Sequence, residues 1–195
     1  MVETLTGTNR SKGLTYDELL DMYTHNVPPK LREDSPLEPG PTIVDPSIYY
    51  SRDFFDLEVE RLWKRVWQLA CHEDDIPNVG DTLVYDIASL SYIIVRTGKD
   101  EIKAFPNACL HRGRALATED ESGLHEFRCP FHGWAWKLDG TLKEVPCQWD
   151  FPSVSAKTHS LPSVQVGRWG GFVFINPDDR AGPLKEFLGD INRHF

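Results

Sequence analysis

No stretch of the sequence approaches the roughly 18 consecutive apolar residues that a membrane-spanning helix needs, so no membrane role is expected. The opening residues, Met1 to Lys12, are polar and lack the apolar centre of a secretory signal. A cytoplasmic location is the expectation. Positive charge is not in excess either. The formal net charge is −9, which argues against nucleic acid as the main partner, because phosphate binding needs clustered Lys and Arg. Cysteine is scarce: Cys71, Cys109, Cys129 and Cys147 are the whole set. In a secreted chain an even number would suggest disulfides. Without an export signal, metal binding is the better first expectation for spaced cysteines.

What is present suits a soluble globular chain. Its 195 residues, 40% of them hydrophobic, are enough for one domain with a real core plus extensions. Thr15 to Tyr23 reads as a short helix, with Thr15 and Glu18 in a capping-box pattern. The proline-rich stretch Val27 to Pro46 reads as an extended arm. Ser51 to Val66 is the strongest helix signal, because Phe55, Val59, Leu62, Trp63 and Val66 recur at spacings of three and four.

From Trp67 onward the pattern is that of strands, at Trp67–Cys71, Thr82–Ile87, Tyr92–Thr97, Ile102–Phe105, Glu126–Arg128, Ala135–Leu138, Val164–Val166 and Phe172–Ile175. Asp139-Gly140 and Gly170-Gly171 are hairpin turns, and Leu184–Leu188 adds a last helical turn. The fold class expected is mainly β, built of antiparallel sheets, with an N-terminal helical extension and the Ser51–Val66 helix packed outside the sheets.

The chemistry lies in the middle of the chain, at Cys109-Leu110-His111-Arg112-Gly113 and Cys129-Pro130-Phe131-His132-Gly133-Trp134. Each segment offers a cysteine, then a histidine, then a glycine, and the stretch between must fold back so that the two loops face each other. Two thiolates and two imidazoles suit an asymmetric iron–sulfur cluster. Thiolates donate charge to the iron that stays ferric, and neutral imidazoles raise the potential of the other. Gly113 and Gly133 let backbone N–H groups approach sulfur closely. Zinc is the competing reading, since it also accepts two cysteines and two histidines, although Cys-x-His is a poor match to the usual finger spacing.

These two segments resemble the Rieske domain of ring-hydroxylating oxygenase large (α) subunits. The likeness extends to Leu62-Trp63-Lys64-Arg65-Val66-Trp67, to Ile76-Pro77-Asn78-Val79-Gly80-Asp81 and to Trp169-Gly170-Gly171-Phe172-Val173-Phe174-Ile175-Asn176-Pro177, and covers about Pro41 to Pro177. Respiratory Rieske proteins carry an extra cysteine in each loop, where this chain has Arg114 and Phe131, and Ser and Tyr donors where it has Trp134 and Trp136. With fewer donors to stabilise the reduced cluster, the expected potential lies toward the low end of the Rieske range, about −150 mV.

The resemblance implies a [2Fe–2S] cluster on Cys109, His111, Cys129 and His132. It implies electron supply from a reductase or ferredoxin, for which a local basic face would serve an acidic carrier. Arg112 is a candidate for that contact or for a subunit interface. Other α subunits, in a trimer, and β subunits are the further partners implied. It also implies a mononuclear iron, held by two histidines and a carboxylate, in a catalytic domain expected after Phe195. Within this chain His25, His72, His125, His159 and His194 are isolated, and His72-Glu73-Asp74-Asp75 reads as a solvated loop.

The expected organisation is 1–45 as helix and arm, 46–180 as the Rieske domain with its leading helix, and 181–195 as the start of a linker. A stand-alone Rieske ferredoxin is the alternative, but such carriers are usually shorter and lack the extension before Trp67. Cys71 and Cys147 are expected to be buried or half-buried thiols, and Trp134 and Trp136 to cover the cluster.

Overall fold

The computed structural model describes residues 13–33 and 44–193. The expectations for Met1 to Lys12 and for residues 34–43 of the arm lie outside the described residues. The chain divides into two compact units, 1–45 and 46–195. In the first, helix α1 (Tyr16–Asp21) opens on the capping box: Glu18 N–H donates to Thr15 Oγ1 (3.2 Å) and Thr15 N–H to the Glu18 carboxylate (2.7 Å). The described part of the arm is not extended throughout. Pro29–Arg32 forms a 3₁₀ turn, which Pro29 suits because its fixed φ is already helical and its missing N–H would have no partner there.

Among the described residues, the second unit holds nine strands, β1 (Gln68–His72), β2 (Thr82–Ile87), β3 (Leu90–Gly98), β4 (Glu101–Pro106), β5 (Glu126–Arg128), β6 (Ala135–Lys137), β7 (Leu142–Glu144), β8 (Gln165–Trp169) and β9 (Phe172–Asn176). They form three antiparallel sheets in the orders β1-β9-β8, β2-β3-β4 and β5-β6-β7. Strand β3 decides how the sheets stack. It is buried from Tyr92 to Arg96 without alternation, as a strand covered on both faces must be. Ile93 and Val95 join Phe105, Phe127 and Trp136 in one core. Tyr92 and Ile94 join Ile76, Val173 and Ile175 in another. The β2-β3-β4 sheet thus lies between the other two.

Both expected hairpin turns are present, with Gly140 at φ +87° and Gly170 and Gly171 at +59° and +85°. A side chain at Gly140 would strike the ring of Phe105, so this turn is fitted to the core beneath it. Helix α3 (Ala156–His159) lies between β7 and β8, and helix α4 (Leu184–Leu188) stands at the expected place.

Two expectations need correcting. The Ser51–Val66 helix is α-helical only over α2 (Arg52–Glu58) and turns into a π-helical segment at Val59–Trp63, where Lys64 N–H reaches back five residues to Val59 O (3.1 Å). The wider turn breaks the spacing of three and four, so Val59 is buried while Leu62 is 39% exposed. Strand β7 carried no strand signal, because Leu142-Lys143-Glu144 has one apolar residue; the hairpin at Gly140 brings it alongside β6.

A buried carboxylate ties the approach to β2 to the loop before β5. Asp81 accepts hydrogen bonds from Asn78 N–H (2.7 Å), Asn78 Nδ2 (3.1 Å) and Gly123 N–H (3.1 Å). The Asn78 backbone bond, ahead of the one from Gly123, holds its carboxyl below the usual range, against the opposing effect of burial. A depressed folded-state pKa adds stability that is present above the unfolded value of about 3.9 and is lost as pH falls through the folded value. Asp81→Asn should therefore lower the melting temperature at neutral pH, and the gap to wild type should close in acid below about pH 4. A gap that persists unchanged in acid would contradict this account.

Candidate metal centre

The first loop leaves β4 and the second joins β5 to β6, so both belong to the edge where the middle and third sheets share a core. The loops are closed alike. In the first, Cys109 N–H donates to Arg114 O (2.8 Å) and Gly113 N–H to Cys109 O (2.8 Å). In the second, Cys129 N–H donates to Trp134 O (2.8 Å) and Gly133 N–H to Cys129 O (3.0 Å). Gly113 and Gly133 both sit at φ +72°, a left-handed conformation that glycine adopts without steric cost.

The structure brings the four candidate residues together as two pairs. Cys109 and Cys129 are 3% and 2% exposed and lie in the same core cluster. The rings of His111 and His132 lie 4.7 Å apart; His111 is half-buried and His132 exposed. Among the described residues, no three His, Cys, Asp or Glu side chains converge as a single-ion site.

Burial pushes the Cys109 thiol up, against the pull of the His111 N–H, and the Cys129 sulfur adds to the rise. The backbone N–H groups of His111 and Arg112 act in the opposite sense to burial and favour the thiolate. Burial, then the neighbouring His132 and Arg112, push His111 down and favour its neutral, ligating form. Its Nδ1 is buried with no hydrogen-bond partner among the described residues. An unpartnered buried acceptor is costly, and a metal on that nitrogen would satisfy it. The residues present therefore fit a [2Fe–2S] group.

Around them, Trp134 stacks on His111 with ring centroids 4.9 Å apart and planes 4° from parallel. Phe151 meets both rings edge-on, at 5.5 Å and 5.3 Å. Trp136 is fully buried and donates to His159 O (2.8 Å). Of the two remaining cysteines, Cys71 is buried and pushed up to about 12 chiefly by burial. Cys147 is exposed rather than buried, and both are free. His72 to Asp75 forms a capped 3₁₀ turn in which the His72 ring accepts from Asp74 N–H (3.3 Å).

One residue that sequence reasoning missed is Asn107. Its Oδ1 accepts from Leu116 N–H (2.8 Å) and Ala117 N–H (3.0 Å), and its Nδ2 donates to Ala117 O (2.7 Å) and Ser91 Oγ (3.0 Å). It clasps the two ends of the first loop together and fixes them to the start of β3. A buried amide just before Cys109, after the apolar Ala104-Phe105-Pro106, was the available signal.

Residues 66–160 match the family of the Rieske [2Fe-2S] domain, and the chain contains that domain, which implies a [2Fe–2S] cluster. This region is similar to the Rieske segments of ring-hydroxylating oxygenase large subunits. The chain is 36% identical to the anthranilate 1,2-dioxygenase large subunit of Acinetobacter baylyi, over 73% of this chain and 31% of that one. It is 33% identical to a benzene 1,2-dioxygenase subunit alpha of Pseudomonas putida, over 75% and 33%. Among solved structures, naphthalene 1,2-dioxygenase from Rhodococcus sp. superposes with a TM-score of 0.69 at 30% identity, covering 76% of this chain and 34% of that one. A quaternary ammonium Rieske monooxygenase gives 0.70 at 28%, covering 76% and 43%. The chain thus spans about a third of the length of these curated relatives. No helix among the described residues is long and apolar enough to cross a membrane.

Removing the Asn107 amide would leave two buried N–H groups and a carbonyl short of partners, at about 1–3 kcal/mol each. Asn107→Ala should cost at least about 2 kcal/mol in chemical denaturation. Asn107→Asp, which keeps the acceptors and loses the donors, should fall between. Wild-type stability in the alanine variant would mean that the clasp does not hold the loop.

Proposed function

We propose that this chain is the electron-delivery portion of an aromatic ring-hydroxylating dioxygenase α subunit, with Cys109, His111, Cys129 and His132 as ligands of its [2Fe–2S] cluster. In this reading it takes electrons from a reductase or ferredoxin and passes them to a mononuclear iron held outside these residues. The observation that carries it is the convergence of two equally closed Cys–His loops on a pair of buried sulfurs and a pair of imidazoles, one with an unpartnered buried Nδ1. The named relatives are oxygenase large subunits, which does not favour the stand-alone carrier.

When bound, such a cluster supplies one-electron transfer at a potential set by its ligands and surroundings. The chain's own residues do the rest. Trp134, Trp136 and Phe151 pack against the inner side of the site and exclude water from it. The exposed edge of His132 leaves a short path from the surface to the interior.

Phe131, 58% exposed, lies against the His132 ring and lines a surface pocket with Arg112 and Arg114. On a chain of net charge −9, a cationic and apolar rim at this point suits an acidic electron donor. Partner α subunits in a trimer, β subunits and a cytoplasmic location follow from the same family reading.

The purified protein should contain two irons and two acid-labile sulfides per chain; stoichiometric zinc without sulfide would overturn the assignment. Cys109→Ser or Cys129→Ser should abolish the visible spectrum, while Cys71→Ser and Cys147→Ser should keep it. Loss of the cluster from a folded Cys147→Ser protein would show that the ligands are misassigned.

A further inference from the structure

The two Cys–His loops share a backbone but not a neighbourhood. On the outer face of the third sheet, Arg128 and Glu144 are both in register with Ala135, whose small side chain lets the guanidinium of one reach the carboxylate of the other. Arg128 makes three directed bonds there. Its Nε donates to Glu126 Oε1 (2.7 Å), its Nη2 to Glu144 Oε2 (2.6 Å) and its Nη1 to the carbonyl of Gly133 (2.9 Å). Lys143 also pairs with Glu126. Arg128 is 44% exposed and Glu144 52%, and ion pairs this open contribute little to stability. Their consequence is geometric: two carboxylates orient a planar fork, so that its remaining arm meets Gly133.

That carbonyl belongs to the peptide joining Gly133 to Trp134, in the second loop. Because a trans peptide is planar, the Trp134 N–H points to the side opposite the Gly133 oxygen and Arg128. A cation on the oxygen fixes the direction of that N–H and polarises it. The first loop has the same closure around Gly113 but is preceded by Ala108, which has no group that could do this.

We propose that Arg128 is a positioning residue for one half of the cluster site: by holding the Gly133 carbonyl it fixes and polarises the 133–134 peptide, and so favours the reduced, more negative state of the bound cluster. This rests on the ligand reading above and adds to it a determinant of potential outside the ligand set.

The test is a redox titration of the full chain with its cluster in place, followed by visible absorption and electron paramagnetic resonance. Arg128→Gln should lower the midpoint potential. At the wild-type midpoint its reduced-to-oxidised ratio should fall about threefold or more, equivalent to about 28 mV at 59 mV per tenfold for one electron, with shifted resonance positions. Arg128→Lys, which keeps a donor but not the fork, should recover part of the shift. Glu144→Gln, which loosens the fork and leaves the arginine, should move the potential the same way by less. Lys143→Met removes a nearby positive charge that does not touch the loop and should leave potential and spectrum unchanged.

Wild-type potential and resonance in a cluster-loaded Arg128→Gln protein would overturn the proposal, as would an equal shift in Lys143→Met, which would make the effect one of surface charge alone. If Arg128→Gln loses its cluster, Arg128→Lys and Glu144→Gln decide, and wild-type values in both count against it. A wild-type chain that forms no Rieske spectrum overturns the ligand reading, and this inference with it.

Discussion

In each Cys–His loop the cysteine's N–H and C=O are both used within the loop, the one on the carbonyl at its end and the other on the N–H of its glycine. This closure is the constraint on which the site depends. It turns the chain through a left-handed residue that only glycine occupies at no cost. It leaves the two cysteine side chains buried and the two imidazoles beside each other, one half-buried and one exposed. Two copies of the device, set on different sheets, create a space with buried sulfurs and an unpartnered imidazole nitrogen. Among the described residues, no polar group satisfies that nitrogen.

Holding two such loops in register falls to the layers behind them. The first loop hangs from β4 and is clasped by Asn107 to the start of β3. The second is continuous with β5 and β6. Phe105 on β4, Phe127 on β5 and Trp136 on β6 lie in one core, so the two anchor points share one packed interior, and close packing transmits any shift of one to the other. The opposite face of the β2-β3-β4 sheet is buried against β1, β8 and β9. The middle sheet is thereby held from both sides. The buried Arg96 adds to this, donating to Ile76 O (2.6 Å), Lys99 O (2.9 Å) and Glu73 O (3.3 Å).

The site is asymmetric in a way its symmetric loops conceal. The imidazole from the first loop is half-buried under Trp134, and the one from the second is exposed. The first loop is secured by a neutral buried amide, the second by a solvent-facing ion-pair network. Neutral hydrogen bonds in the interior confer stability because an unsatisfied group there is costly. Surface ion pairs confer direction more than stability. The two halves of the site thus differ in how firmly they are held and in how much charge stands behind them.

The sequence by itself determined the four candidate ligands, the two glycine closures and most of the strands. These depend on short-range chemistry: a ligand pair within one loop, a glycine where φ is positive, and apolar or β-branched residues in runs. It also placed the hairpins at Gly140 and Gly170-Gly171 and the helix Leu184–Leu188. Only the tertiary structure decided the rest. Strand β7 exists because a hairpin carries three weakly strand-forming residues to an open edge. The Ser51–Val66 helix widens to π geometry at Val59–Trp63, which a period read at fixed spacing does not anticipate. Asn107 and Arg128 gained their roles from partners far along the chain or across a sheet, Ala117 and Ser91 for one and Glu144 for the other. A hydrogen bond is made by positions in space, and sequence records those positions only where the partners are also neighbours in the chain.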